Sequence, residues 1–217
     1  MRKSLFLVLA AALGSTCAFA VDGVVLINQS TVMAAGGFPY TIMQPGSYKL
    51  SSNLTAPVNV GAIQIFSSNV SLDLNGFTIS CSFTVSPTGG VVCISDSGIT
   101  QFRKIAIRNG AIDVSQVGTG GFVSPVIVGV RLAASSNVIV EELQVEVHAS
   151  FIGGALFTPP SALFLDGSNS IVRHNILRAD LLGFTVIACP SLIVENVLFL
   201  QTGGPNTCVL VNNVVAN

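Results

Sequence analysis

The chain has 217 residues, 9 of them Lys or Arg and 10 Asp or Glu, for a net charge of −1. A balance this even, with no basic stretch, argues against nucleic acid as the main partner. Hydrophobic residues make up 50%, yet past the first twenty positions no apolar run reaches the roughly 18–20 residues a membrane helix needs. The apolar content therefore belongs to a buried interior.

Residues 1–20 read as a signal peptide. Arg2 and Lys3 make a positive start, Leu5 to Leu13 an apolar stretch too short to span a bilayer, and Ala18-Phe19-Ala20 an A-x-A cleavage site before Val21. Cys17 raises a lipid-anchor reading, but Gly14-Ser15-Thr16 ahead of it puts no aliphatic residue at the third position back, so soluble export is the expectation. Cleavage leaves 197 residues, enough for one sizeable core, and the loss of Arg2 and Lys3 moves the charge to −3. Four cysteines remain, Cys81, Cys93, Cys189 and Cys208. An even count in an exported chain suggests disulfides. Proximity favours 81–93 with 189–208, and the alternative is four small buried hydrophobes. No cysteine or histidine spacing fits a zinc site, and no cofactor motif is present.

Residues 21–60 read as a strand-rich N-terminal cap. Val24 to Ile27 and Tyr40 to Ile42 are short apolar runs. Pro45-Gly46 signals a turn, after which Tyr48 and Leu50 alternate with Ser47, Lys49 and Ser51. From 61 to 217 the pattern repeats. In Asn69 to Ser80, Val70, Leu72 and Leu74 alternate with Ser71, Asp73 and Asn75, Asn75-Gly76 makes a turn, and Phe77 to Ser80 resumes as a strand. Setting Asn75 over Arg108, Glu141 and His174 at steps of 33, and over Glu195 at a step of 21, aligns Leu72, Ile105, Val138, Ile171 and Leu192 in one apolar column. A second column holds Leu74, Ile107, Val140, Arg173 and Val194, where Arg173 alone breaks the apolar rule. A turn column holds Gly76, Asn109, Glu142, Asn175 and Asn196. Fixed-period self-similarity of short strands with no helical pattern between them predicts an all-β right-handed parallel β-helix, a solenoid of about five coils. Surplus residues at 81–90, 113–125 and 148–161 are rich in Gly, Pro, Ser and Thr and read as loops on one side of the stack, the side where function would sit.

The run QPGSYKLSSNLT followed by SSNVSLDLNGFTIS and KIAIRNGAI resembles the start of secreted bacterial right-handed parallel β-helix repeat proteins, a pectate-lyase-like superfold whose members with this opening have no assigned activity. The better-understood β-helix families are pectate lyases, polygalacturonases, alginate-modifying enzymes and phage tailspikes. The resemblance thus implies a polysaccharide partner and a secreted, periplasmic or cell-surface location.

The candidate catalytic residues are the outward column of Glu141, His174 and Glu195, with Arg108 beside them, and Asp73. Stacked at about 4.8 Å per coil, Arg108, Glu141, His174 and Glu195 would form an alternating-charge ladder. Glu141 and Glu195 would then stand about 9–10 Å apart, at the outer limit for an inverting pair. Asp73 gains no second carboxylate in that register, so a turn role is expected for it. His148 with Glu146 offers a second possible proton-transfer pair. Arg108 and Arg131 could grip acidic sugars, and Phe122, Phe151 and Phe157 could stack on sugar rings. No aspartate cluster for a hydrolase or for lyase calcium is visible. The reading is a carbohydrate-binding or adhesion module acting through its loops. The alternatives are a polysaccharide lyase or hydrolase, and a structural solenoid or fragment that self-associates through its last coil.

Overall fold

The computed structural model describes residues 23–84, 91–119, 127–152, 160–167, 169–179, 182–186, 192–199 and 209–216. The signal-peptide stretch, Cys189, Cys208, Phe122 and Phe157 lie outside these residues.

The chain winds as successive coils. The first holds β1 (Val24–Ile27), the helix α1 (Gln29–Ala34) and β2 (Tyr40–Ile42), and the second β3 (Gly46–Leu50), β4 (Leu54–Thr55) and β5 (Ile63–Ile65). Next come β6 (Val70–Asp73), β7 (Thr78–Thr84) and β8 (Val91–Asp96), then β9 (Phe102–Arg103), β10 (Ile105–Thr119) and β11 (Ile127–Leu132). They are followed by β12 (Ser135–Ser136), β13 (Ile139–Ile152) and β14 (Ser161–Leu165), then β15 (Ile171–Arg173), β16 (Ile176–Ala179) and β17 (Leu182–Val186). The last described strands are β18 (Leu192–Val194), β19 (Val197–Phe199), β20 (Val209–Val211) and β21 (Val214–Ala216).

One long sheet stacks β1-β3-β6-β10-β13-β15-β18-β20 as consecutive rungs, and β4, β7, β16, β19 and β21 pair with its farther half. A second sheet stacks β17-β14-β11-β8-β5-β2, and β9 and β12 form a small third one. Every pairing in the long sheet runs parallel, as in β6 on β10 and β10 on β13. The protein is an all-β parallel β-helix. The five units predicted from the repeat are the consecutive rungs β6, β10, β13, β15 and β18, with β1 and β3 stacked before them and β20 after. The N-terminal segment thus contributes rungs of its own, together with a six-residue helix closed by a capping box between Asn28 and Thr31. That helix buries Val32 in the core.

The core follows from period-2 alternation. Tyr48, Leu72, Ile107, Val140, Val172 and Ile193 form one inward column, and Leu54, Ile79, Ile112, Val145, Leu177 and Leu198 another. All twelve are buried, each contributing roughly 1.5–3 kcal/mol by leaving water. The same alternation corrects the expected loops. Cys81 and Phe83 in β7, and Val114 and Gln116 in β10, point inward, so these strands continue to Thr84 and Thr119, and β13 likewise runs on to Ile152. The segments 81–84, 113–119 and 148–152, expected as loop, are sheet.

Two devices fasten the stack, one within a coil and one between coils. Cys81 and Cys93, both buried, form a disulfide that joins the long sheet to the second one across 12 residues of chain. Replacing both cysteines with alanine is expected to cost about 2–3 kcal/mol, the loop-closure contribution for a loop this short. Urea unfolding measures it, and a loss under 0.5 kcal/mol would mean that packing alone sets this coil. The second device is Asp96, an inward residue at the end of β8, paired with Ile65 below and only 6% exposed. Its Oδ1 accepts from the Gly98 and Ala133 N–H groups at 3.0 and 3.2 Å, and its Oδ2 from the Ala134 N–H at 2.9 Å and the Ser135 hydroxyl at 2.8 Å. One carboxylate thus ties the corner of its own coil to the corner of the next.

Candidate binding face

Register decides which side chains meet on the outer face. Lys49 pairs with Asp73, Asp73 with Arg108, Arg108 with Glu141, Glu141 with Arg173, and Arg173 with Val194. The outward column is therefore Lys-Asp-Arg-Glu-Arg-Val, which alternates in sign over five coils. Of the expected column of Arg108, Glu141, His174 and Glu195, the first two are paired, and Arg173 and Val194 take the places of His174 and Glu195. The step from Asp73 to Arg108 is 35 residues, not 33, because the Leu74–Phe77 turn is two residues wider than its successor. The step from Glu141 to Arg173 is 32, which moves Arg173 outward and Val172 inward. The wide turn is accommodated at Gly110, where a Cβ would meet the Phe77 carbonyl oxygen at 2.7 Å and collide with the Leu74 side chain.

Within the column, Glu141 takes a hydrogen bond from Arg173 Nε at 2.8 Å and an ion pair from Nη2 at 2.6 Å. Asp73 Oδ1 accepts from the Asn75 N–H at 2.7 Å and from Asn109 Nδ2 at 3.1 Å. Asp73 thus stabilises its own turn and the one above while standing beside Arg108. Lys49 and Arg108 have no carboxylate within ion-pair distance among the described residues.

Beside this ladder, two residues earlier on each strand, lies the outward column Ser47, Ser71, Ala106 and Ile139. The first three are small, and they leave a groove of about 570 Å³ that crosses four rungs from Gly46 to Ile139. Its far wall is formed by Asn69, Lys104 and Asn137, left-handed residues of a ridge that Asn169 continues, with φ between 54° and 58°. Asparagine is several-fold enriched in that conformation, and Lys104 is the charged exception in a column that is otherwise Asn. Lys104 lines the groove, is exposed, and has no carboxylate partner among the described residues.

The opposite turn ridge is also left-handed, comprising Asn109, Glu142, His174, Glu195 and Asn212 with φ from 50° to 60°. It matches the expected turn column at Asn109 and Glu142 and falls one residue ahead of it at His174 and Glu195. His174 Nε2 and Glu195 Oε2 stand 2.7 Å apart, both half-exposed. Glu141 sits on the sheet face with Arg173 and does not join them. Behind this ridge the following residues, Asn175, Asn196 and Asn213, turn inward as a ladder, with each Nδ2 bonded to the next Oδ1 at 2.9 Å.

A second group gathers on the farther half of the long sheet. Asp113 pairs with Glu146 and Glu146 with Arg178, while Ser82, Ser115 and His148 form the neighbouring column. Glu146 lies 3.4 Å from His148 Nε2 and accepts from Gln144 at 3.0 Å. The Gln144 bond, then the bond and charge of His148 and the charge of Arg178, hold the Glu146 carboxyl below the usual range against the opposing effect of burial. Asp113 was hidden in the sequence because its segment read as loop. Its signal was the alternation of the apolar Ile112 and Val114 with Asp113 and Ser115. Arg131 stacks over Phe164 at 5.4 Å on the second sheet, apart from both groups. Phe151 lies at the end of β13, and its side chain is outside the described set.

Among the described residues no group of three or more His, Cys, Asp or Glu is placed to hold a metal ion, and no helix is long and apolar enough to cross a membrane. No family model, curated protein or solved structure matches this chain.

Proposed function

We propose that the protein is an exported carbohydrate-binding module of the bacterial cell surface or its surroundings, holding a glycan along the outer face of the long sheet. The observation that carries this reading is the Ser47–Ser71–Ala106 groove. It runs along the stack, it is floored by small side chains and the aliphatic Ile139, and hydrogen-bonding and charged side chains flank it at every rung. A rung repeat of about 4.8 Å is close to the length of one pyranose unit, so successive sugars would meet successive coils. The buried Cys81–Cys93 bond supports an oxidising destination, in keeping with the signal-like start of the chain. The test is isothermal titration of the protein with neutral and charged polysaccharides, with Ala106→Trp as the variant that fills the groove. Binding by the parent and its loss in Ala106→Trp, with an unchanged circular dichroism spectrum, is the expected result. A protein that binds none of them sinks the reading.

The alternative, a glycoside hydrolase, is favoured by one observation. Asp113 and Glu146 lie on adjacent rungs about 4.8 Å apart, near the roughly 5–5.5 Å carboxyl separation of a retaining pair, with His148 alongside. New reducing ends that vanish in Asp113→Asn and Glu146→Gln would decide for it.

A further inference from the structure

Resting on the binding reading above, we infer that the groove selects an anionic glycan, one bearing carboxylate or sulfate groups at regular intervals. The charges around it are unequal in availability. Of the acidic groups on this face, Glu141 is engaged by Arg173 and Asp73 Oδ1 by two N–H donors. Lys49, Lys104 and Arg108 have no acidic partner within ion-pair distance among the described residues, and the side chains of Lys104 and Arg108 are exposed. Lys104 lines the groove itself, and Lys49 and Arg108 stand next to its lining on the sheet face. Lys49 and Arg108 stand on the ladder side, two residues beyond Ser47 and Ala106, and Lys104 stands on the ridge side. Asp73 stands between Lys49 and Arg108, so three cations and one carboxylate leave these rungs with a local charge of +2 (3 − 1) on a chain whose net charge is −1.

The acidic residues of the opposite ridge, Glu142 and Glu195, belong to the later rungs at β13 and β18, beyond the cations at β3 and β10. The charge of this side thus changes sign along the stack. An acidic chain would be drawn to the early coils and repelled from the later ones, which fixes where it lies. Lys104 sharpens the point. It is a lysine where its three column neighbours are asparagine, so on this ridge it alone sets a positive charge against the groove.

The experiment uses the full mature chain with five probes: polygalacturonate, its fully methyl-esterified form, dextran sulfate, dextran and duplex DNA. Calorimetric affinity is measured at low and at raised salt. Lys104→Asn is the key variant, because asparagine suits the left-handed backbone and the variant should melt no lower than the parent. Arg108→Ala is the second. The expected result is binding of polygalacturonate or dextran sulfate, whichever bears the matching group, and weakening with salt. Affinity should fall about tenfold in each variant, the value of one charge-assisted contact. Equal binding of the esterified or uncharged polymers would overturn the charge selection and leave the binding module standing. No binding to any polymer would overturn both. Acidic-polymer binding unchanged in Lys104→Asn and Arg108→Ala would place the site elsewhere and overturn the inference. Duplex DNA bound equally well through the same two residues would overturn the restriction to glycans.

Discussion

Replacing Asn196 with alanine is expected to destabilise the protein by about 3–5 kcal/mol, the range for breaking a buried hydrogen-bond network. Asn196 is 1% exposed, and its amide is used on every side. Its Oδ1 accepts from Asn175 N–H at 3.0 Å and Asn175 Nδ2 at 2.9 Å. Its Nδ2 reaches the Val172 and Val194 carbonyls at 3.0 Å and Asn213 Oδ1 at 2.9 Å. Alanine removes the acceptor from two donors that sit inside the turn, away from water, and each unmade bond costs about 1–3 kcal/mol. Coils in a solenoid hold only their neighbours, so hydrogen exchange should rise first in β18 to β21 while β3 to β10 stay protected. Chemical unfolding and exchange together check this. A loss below about 1 kcal/mol, with uniform exchange, would show that the asparagine column is replaceable filler.

Asp96→Ala is expected to cost a similar 3–5 kcal/mol for a different reason. Three backbone N–H groups and one hydroxyl in two coils lose their common acceptor, at a position only 6% exposed, where water has little access to replace it. Asp96→Asn keeps one acceptor oxygen but turns an N–H₂ toward other donors, so it should recover less than half of the loss. Equilibrium urea curves for the two variants test this ordering. An Asn variant as stable as the parent would mean that shape at that corner matters and the second carboxylate oxygen does not.

The repeat, the parallel stacking and most of the core were legible in the sequence, because apolar alternation at long fixed intervals has few structural solutions. Register was only half legible. A two-residue error between Asp73 and Arg108 preserves which face each side chain occupies, since Leu72 and Leu74 both point inward, so no hydrophobicity argument could expose it. Only the backbone shows that Leu74–Phe77 is a wide turn. The one-residue error at the third step was visible: it forced Arg173 into an apolar column, and the anomaly meant a shift of frame. The candidate site suffered from both. Glu141 with Arg173, Asp73 with Arg108 and Asp113 with Glu146 are contacts between coils, and contacts between coils depend wholly on step length. The groove itself was invisible for a simpler reason. It is made by what Ser47, Ser71 and Ala106 lack, and small residues on a strand face carry no pattern of their own.

The sign alternation along Lys49, Asp73, Arg108, Glu141 and Arg173 acts as a parity mark on the stack. A chain that lost a single coil by recombination between repeats would bring Asp73 against Glu141, or Arg108 against Arg173, and one that gained a coil would set a charged residue against its own copy; like charges directly opposite are destabilising. Loss or gain of two coils would restore the alternation. A protein built this way is freer to change length by even numbers of turns than by odd ones.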